Sequence, residues 1–407
     1  MSEKPSTTAT DELLAIAAEL DDSALLGVYK PSGPVFASGH GSRLTAEDGR
    51  SYLDFAAGIG VNALGYGDDG VAEALAVGVA TGLLHTSNLY RTRPAAVLAA
   101  ELVRLSFADK VFFCNSGGEA NEGAIKFARR WAREQGGPAK HEIVALRGAF
   151  HGRLMGTLAT TDRRAYQEPF EPLMPGVRFI EVGDAAAARA AISAERTAAI
   201  LAEPVQGEGG IHPLPAEYAR LLRHLADEAG ALLVFDEVQC GLGRTGRLFA
   251  HEHLGVTPDM MTLAKPLAGG LPMGAVLLTE RVAAAIHPGD HGTTFGGGPL
   301  VARVALEVLH RLSAPEFLAE VRWKGERVRR ALETLSARHA AVTAVRGLGL
   351  MWGIELDRPV APIIAAALGE GLLIISAGPN VIRLLPPLAI EPAELDAGLA
   401  ILAEVLA

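Results

Sequence analysis

Short apolar runs alternate with amphipathic segments between residues 110 and 280. The runs are VFFC (111–114), EIVAL (142–146), RFIEV (178–182), AAILAEPV (198–205), ALLVF (231–235), MMTLA (260–264) and GAVLLT (274–279). Runs that are apolar on both faces and separated by helices are typical of a mainly parallel sheet covered on both sides. We therefore predict an α/β domain and expect ligands at the carboxyl ends of its strands.

The pattern changes after residue 300. Residues 301–312 and 325–339 are predicted to be helices, and VRGLGLMWGIEL and VIRLLPPLAI are predicted to be strands. The segment SRLTAEDGRSYLDF resembles a hairpin around Asp48-Gly49. We predict a large domain at residues 61–300 and a small α+β domain made of residues 1–60 and 301–407.

Composition and charge narrow the class of protein. The chain has 407 residues, of which 49% are hydrophobic, and its net charge of −10 disfavours nucleic acid or an anionic membrane as a partner. A small anion could still bind locally. The two cysteines cannot form a disulfide framework, and the first twenty residues lack the pattern of a signal peptide. We expect a soluble cytoplasmic protein, and we predict no metal site.

The residues after VFFC form the first candidate site. Ser116 and Glu119 have the spacing of a capping box, so a helix is predicted to begin there. Gly117 and Gly118 then lie in the first turn, where free N–H groups and the helix dipole favour a phosphate. An ordinary capped helix that binds nothing is the alternative.

Acidic and polar residues follow the run ALLVF. Asp236 and Gln239 are three residues apart and would face the same bound ring if the chain turns there. A solvated strand end is the alternative. The next residues, GLGRTG (241–246), match G-x-G-x-x-G, but the following segment is broken by Gly255 and Pro258, which does not suit a dinucleotide site.

Lys265 follows the run MMTLA, on the same side of the predicted sheet as Gly117, Gly118 and Asp236. A lysine withdrawn from water favours its neutral form, which attacks a carbonyl carbon to give a Schiff base. Phosphate site, carboxylate and lysine together are what pyridoxal phosphate requires. Taken alone, Lys265 could instead extend its amine to the surface.

The chain resembles the class III pyridoxal-phosphate aminotransferases, which have fold type I, and within them the group that acts on N-acetylornithine. The motifs that carry this resemblance, in order, are YLDFAAGIGVNALGYG, FFCNSGGEANEGAIKFAR, AFHGR, EPVQGEGG, DEVQCGLGRTG, TLAKPLAGGLPMGA, HGTTFGGGPL and VIRLLPPLAI. They span nearly the whole chain.

The resemblance implies roles at the ring of pyridoxal 5'-phosphate. Lys265 would be catalytic and bonded to the cofactor, and Asp236 would pair with the ring nitrogen. Val238 would pack on the ring, and Gln239 would donate a hydrogen bond to the ring oxygen. Phe150 would stack on the other face of the ring, where an aromatic side chain is favourable.

The resemblance also implies how the phosphate is held. Gly117 and Gly118 would bind it together with Thr294 of the partner subunit, so a homodimer with shared active sites is implied. His151, in AFHGR, would position its loop rather than catalyse.

For the substrates, the resemblance implies four further residues. Arg153 would bind the carboxylate of N-acetylornithine, and Thr293 would also touch the substrate. Arg383 would bind the α-carboxylate of glutamate and 2-oxoglutarate, because a planar guanidinium suits a carboxylate. Glu203 would pair with Arg383 and mask it when a terminal amine is bound. A surface ion pair is the alternative for each arginine.

Two segments depart from the family pattern. Gly298-Pro299 stands where an Asn is common, but glycine is tolerated as an N-cap and proline suits the first helical position. In GYGDDG (65–70), where relatives have a His-rich turn, Asp68 or Asp69 can cap the next helix instead.

The implied reaction moves the terminal amine of N-acetylornithine to 2-oxoglutarate, giving N-acetylglutamate semialdehyde and glutamate in arginine biosynthesis. The alternatives are another terminal amine, namely ornithine, succinylornithine, 4-aminobutyrate or a carrier-linked lysine. A class III aminomutase or decarboxylase is a further alternative.

Overall fold

The computed structural model describes residues 24–29 and 33–407. The parts of the predicted small domain at residues 1–23 and 30–32 lie outside the described residues, as do the first twenty residues considered for a signal peptide. In the described chain before Phe36, the backbone forms turns and bends. Helices and strands are therefore given for Phe36–Ala407.

Within Phe36–Ala407, the seven predicted apolar runs come together in one sheet. Its strand order is Lys110–Cys114, Gly274–Leu278, Met260–Leu263, Leu232–Asp236, Thr197–Ala202, Glu142–Leu146 and Val177–Ile180. Gly274–Leu278 runs antiparallel to both neighbours, and the other strands run parallel to one another. The predicted mainly parallel α/β sheet is confirmed. The run at 198–205 is shorter than predicted because Pro204 offers no N–H for a ladder, and Val205–Gln206 pairs separately with His212–Pro213.

Both faces of this sheet are buried, which explains why its strands carry no polar alternation. Leu232 and Val234 lie in the core formed with the helix Gly117–Gly136, whereas Leu233 and Phe235 lie in the core formed with Ala216–Glu228. The other helices before Pro299 are Ala57–Gly60, Asp69–Ala80, Arg93–Leu105, Met155–Ala159, Arg164–Gln167, Ala185–Ala191 and Glu280–Ala283, with 3₁₀ turns at Glu168–Phe170, Ala250–His253 and Lys265–Ala268.

The C-terminal third has the predicted α+β pattern. Its helices are Pro299–Leu312, Pro315–Arg338, Ala361–Gly369 and Pro392–Leu406, and its four-stranded sheet has the order Val342–Leu348, Met351–Leu356, Val381–Leu384 and Ile375–Ser376. The predicted hairpin is present as Arg43–Ala46 and Ser51–Asp54, beside Phe36–His40. Ser51–Asp54 pairs with Leu372–Leu373, so the N-terminal hairpin adjoins the C-terminal segment. The domain boundaries at residues 60 and 300 stay predictions.

The two departures from the family pattern keep their helices. Gly298 is the N-cap and Pro299 the first residue of Pro299–Leu312. Asp68 caps the helix Asp69–Ala80, because its Oδ1 accepts a hydrogen bond from Val71 N at 3.0 Å. Asp68 also forms an ion pair with Arg311 at 2.6 Å, which ties this helix to Pro299–Leu312.

Across residues 24–29 and 33–407, no helix combines the length and the apolar character needed to cross a bilayer.

Replacing Phe235 tests whether the core beneath the sheet supports the site. Its side chain is 0% exposed. We expect Phe235→Ala to lower the free energy of unfolding by about 3–5 kcal/mol, because it leaves a cavity under the strand that ends in Asp236. Thermal and denaturant unfolding measure this loss. Phe170→Ala is the matched control because Phe170 is 57% exposed, and equal losses in the two variants would contradict the assignment.

Candidate active site

A cavity of about 330 Å³ opens at the carboxyl ends of the parallel strands. Eight residues predicted to form the site line it, namely Gly117, Gly118, Phe150, Glu203, Asp236, Val238, Gln239 and Lys265. The structure thus brings together residues from five separate segments of the chain. Four predicted residues do not line this cavity: Arg153, Thr293, Thr294 and Arg383.

Lys265 lies where the strand Met260–Leu263 gives way to the 3₁₀ turn Lys265–Ala268, and its side chain is partly buried in the cavity wall. Removal from water lowers its pKa, although the negative charges of Asp236 and Glu208 oppose that shift. The lowered pKa increases the fraction of neutral amine, which is the nucleophilic form. The alternative of an amine that extends to the surface is wrong.

Asp236 ends the strand Leu232–Asp236 and is 4% exposed, so it is not a solvated strand end. Its Oδ2 accepts a hydrogen bond from Asn121 Nδ2 at 2.6 Å and lies 2.8 Å from His151 Nδ1. Its Oδ1 accepts one from Val238 N at 3.0 Å. Thr262 in turn donates to Asn121 Oδ1 at 2.7 Å. Four segments therefore fix this carboxylate at the cavity wall.

Sequence reasoning missed Asn121 and did not assign His151 a contact with Asp236. Asn121 lies on the buried face of the helix Gly117–Gly136, where Ala124 and Ala128 are also buried. A polar residue on such a face requires a partner, and that signal could have identified it. His151 was predicted to position its loop. Its N–H does bond Thr161 Oγ1 at 2.9 Å, but its ring also contacts Asp236.

The Gly117-Gly118 turn begins the predicted helix. Ser116 Oγ accepts a hydrogen bond from Glu119 N at 3.1 Å, as a capping box requires. The Glu119 carboxylate instead accepts from Asn115 N at 2.8 Å, one residue earlier than predicted. A Cβ atom at Gly117 would lie 2.6 Å from Val238 Cγ1, so the close approach of Val238 requires glycine there. Gly117 and Gly118 both line the cavity, so the start of this helix faces it.

Glu203 is a buried carboxylate in the same cavity that connects two loops. Its Oε2 accepts a hydrogen bond from Phe150 N and its Oε1 accepts one from Gly207 N, both at 3.1 Å. Burial raises the pKa of Glu203 to about 7, and the nearby Asp236 adds to that shift while His151 opposes it.

The predicted pairing of Glu203 with Arg383 is wrong. Arg383 is buried and forms its ion pair with Glu208, the second glutamate of EPVQGEGG. Its Nη1 also donates to Gln239 Oε1 at 3.2 Å, and its Nη2 donates to Ser376 O at 3.0 Å. The physical reason is that both oxygens of Glu203 already accept backbone N–H groups, whereas Glu208 lies on the loop that faces Arg383.

The remaining predicted residues lie around the cavity. Thr293 Oγ1 accepts a hydrogen bond from Asn115 Nδ2 at 3.0 Å, and Asn115 lines the cavity. Thr294 is exposed and lines a neighbouring cavity instead. Arg153 is exposed, with its guanidinium carbon 3.4 Å from the centre of the Tyr166 ring. Tyr166 was not predicted from the sequence.

The Gly241–Gly246 segment forms a series of turns and does not open a helix. Arg244 within it is buried, and its Nη1 donates to Leu350 O at 3.1 Å and to Pro386 O. The segment therefore anchors the C-terminal strands, and it lacks the geometry of a dinucleotide fingerprint.

The donor set fits pyridoxal phosphate. A carboxylate held in place by Asn121, His151 and Val238 suits a ring nitrogen, and a lysine with a lowered pKa lies in the same cavity. The glycine turn at a helix N-terminus suits a phosphate. All three groups line one cavity, as binding of a single small molecule requires.

Comparison with known proteins agrees with this arrangement. Residues 30–406 match the family described as aminotransferase class-III. The chain belongs to this family, whose members are enzymes that depend on pyridoxal phosphate.

Two relatives and one solved structure are similar to the chain over most of its length. The chain is 50% identical over 387 residues to the mitochondrial acetylornithine aminotransferase of Alnus glutinosa, covering 94% of this chain and 85% of that protein. It is 47% identical over 390 residues to the acetylornithine aminotransferase of Methanocaldococcus jannaschii, covering 95% and 97%. Its fold is similar to the crystal structure of N-acetylornithine aminotransferase from Stenotrophomonas maltophilia K279a, with a TM-score of 0.81 and 39% identity over 93% and 96% of the two chains.

Glu203 gives a prediction about pH. Because its folded-state pKa of about 7 is above the ordinary 4.5, the parent protein loses stability as the pH rises from about 4.5 to 7, where the unfolded chain has released a proton that the folded chain still holds. Glutamine at this position does not ionise. We therefore expect the melting temperature of cofactor-free Glu203→Gln, relative to that of the parent, to rise between pH 5 and pH 8.5.

Thermal unfolding at both pH values checks this expectation. Glu47→Gln is the matched control, because it removes an exposed carboxylate. A difference between Glu203→Gln and the parent that stays constant or falls with pH would contradict it.

Proposed function

We propose that this chain transfers the terminal amine of N-acetylornithine to 2-oxoglutarate, giving N-acetylglutamate semialdehyde and glutamate, as a step of arginine biosynthesis. One observation carries the reaction: Lys265, Asp236 and the Gly117-Gly118 turn share one cavity. The similarity to acetylornithine aminotransferases over more than nine-tenths of the chain supports the choice of donor.

The cofactor would be held by the cavity residues. Lys265 would bond to it, Asp236 would face its ring nitrogen, and Phe150 and Val238 would lie at its ring. Gly117 and Gly118 would hold its phosphate. When bound, pyridoxal phosphate supplies an electron sink for the substrate carbon that bears the amine.

The protein residues supply binding and proton transfer. Asp236 would accept a hydrogen bond from the ring nitrogen and keep that nitrogen protonated, and the hydrogen bonds from Asn121 and Val238 hold the carboxylate in place. Once the amine of the donor has displaced it from the cofactor, Lys265 Nζ would accept the proton from the substrate carbon that bears the amine and return it to the cofactor carbon. Its lowered pKa suits this work, because a general base needs a free lone pair near the operating pH.

Arg383 and Glu208 would let one cavity accept two substrates. While the acylated donor is bound, the Arg383–Glu208 ion pair stays closed and presents little net charge to it. The α-carboxylate of glutamate or 2-oxoglutarate would displace Glu208 and take its place on the guanidinium. Gln239 touches the same guanidinium and would also bond the ring oxygen of the cofactor. Arg153 and Thr293 would bind the donor, and Glu203 would act on the substrate only through the loops that it joins.

We also propose a homodimer in which Thr294 of the partner subunit completes the phosphate site. Thr294 is exposed in a region of exposed apolar side chains, where Leu89 is 88% and Phe295 is 66% exposed. Burial of such side chains against a second copy would be favourable. The proposal also includes a cytoplasmic location and the predicted division of the chain into a large and a small domain.

A comparison of donors tests the reaction. We expect N-acetylornithine, added without a keto acid, to convert the visible absorption of the cofactor-loaded enzyme faster than ornithine or 4-aminobutyrate does. Adding 2-oxoglutarate should then yield glutamate. Lys265→Ala should abolish both, and Lys110→Ala, at an exposed lysine, should leave both intact.

Other outcomes point to the alternatives. A faster conversion by another amine would keep the transamination but reject N-acetylornithine. Repeated turnover without any keto acid, beyond one equivalent of product per enzyme, would indicate an aminomutase, and release of carbon dioxide would indicate a decarboxylase. Turnover by Lys265→Ala would reject the proposed chemistry.

Glu208→Gln tests the masking of Arg383. We expect the KM for 2-oxoglutarate to fall by about 3- to 10-fold, because the incoming carboxylate no longer competes with a charged partner. Steady-state kinetics with both substrates measure this, with Glu47→Gln as the control. An unchanged or higher KM would show that Glu208 does not compete for Arg383.

A further inference from the structure

Arg153 lies between two aromatic rings at the edge of the cavity. Its guanidinium carbon is 3.4 Å from the centre of the Tyr166 ring and 5.9 Å from that of Phe150, which lines the cavity. Among the described residues, the Arg153 side chain has no hydrogen-bond or ion-pair partner. Its donors are therefore free, although its flat face is in contact with Tyr166.

The two segments that carry Arg153 and Tyr166 are tied to each other by the Thr161 hydroxyl. It accepts hydrogen bonds from His151 N at 2.9 Å and Gly152 N at 3.2 Å, and it donates to Gly152 O at 3.0 Å. On the other side, Gln167 Nε2 donates to Thr161 O at 2.8 Å. These hydrogen bonds hold the backbone segments that carry Arg153 and Tyr166 next to each other.

Stacking on the face of a guanidinium has a specific consequence. The N–H donors of arginine lie in its plane, so a ring on the face leaves every donor available at the edge. An exposed arginine without such contact samples many rotamers, and ordering it on binding costs entropy. The Tyr166 ring removes part of that cost before the ligand arrives.

We infer that Tyr166 is a specificity-determining positioning residue, which holds Arg153 so that it selects amino donors with a carboxylate far from the reacting amine. This inference rests on the proposed function, because it assigns the recognition of that carboxylate in the proposed donor. Tyr166 acts through its ring and Arg153, and its hydroxyl is not required.

Two donors that differ only in the carboxylate test the inference. N-acetylornithine carries it, and N-acetyl-1,4-diaminobutane is the same molecule with hydrogen in its place. With the cofactor-loaded enzyme, we expect Tyr166→Leu to raise the KM for N-acetylornithine by about 2- to 10-fold, the range of a cation–π contact, with little change in kcat. The KM values for N-acetyl-1,4-diaminobutane and 2-oxoglutarate should not change.

Tyr166→Phe is the matched control, because it keeps the ring and should behave as the parent does. A second readout is independent of turnover. N-acetylnorvaline keeps the carboxylate and acyl group but lacks the reacting amine. Its Kd, measured by calorimetry on the same enzyme, should rise with Tyr166→Leu and stay constant with Tyr166→Phe.

The outcomes separate the two proposals. If the parent enzyme turns over N-acetylornithine but Tyr166→Leu loses activity equally with both donors, this inference is overturned and the proposed function stands. A Tyr166→Phe variant as deficient as Tyr166→Leu also overturns it, since the hydroxyl would then be essential. If the parent enzyme does not turn over N-acetylornithine, both proposals fail.

Discussion

The site depends on holding the Asp236 carboxylate in place although it is removed from water. An unpartnered buried carboxylate is very unfavourable, so donors must surround it. Here they come from Asn121 on a helix, Val238 on the following turn and His151 on a neighbouring loop. The core beneath the sheet holds these three elements in place, and Phe235 is part of that core.

The same constraint governs the other charges in the site. Arg383 supplies positive charge, and Glu208 neutralises it directly. Glu203 has no such partner and accepts two backbone N–H groups instead, so its ionisation is more difficult. Glu203 and Glu208, which belong to one short motif, therefore have different roles, because Glu208 faces a guanidinium and Glu203 faces backbone N–H groups.

Much of the fold and of the candidate site could be predicted from the sequence, because the strand ends follow directly from the apolar runs. Once the runs were placed, Lys265, Asp236 and the glycine turn had to meet at one edge. Asn121 required a further step, namely the observation that a polar residue interrupts a buried helix face. The choice between Glu203 and Glu208 could not be made, since it depends on the path of a loop five residues long. Nothing in the sequence pattern indicated Tyr166 either, because its contact with Arg153 depends on segments that the hydrogen bonds of Thr161 bring together, and not on spacing along the chain.

The antiparallel strand Gly274–Leu278 has a geometric consequence for the cofactor site. It separates the strand that ends at the glycine turn from the strand that precedes Lys265. Neighbouring strands lie about 4.8 Å apart, so two such spacings place the glycine turn and Lys265 about 10 Å from each other across the sheet. The inserted strand thus fixes this separation. Loops at this edge can differ in length without changing the distance between the glycine turn and Lys265.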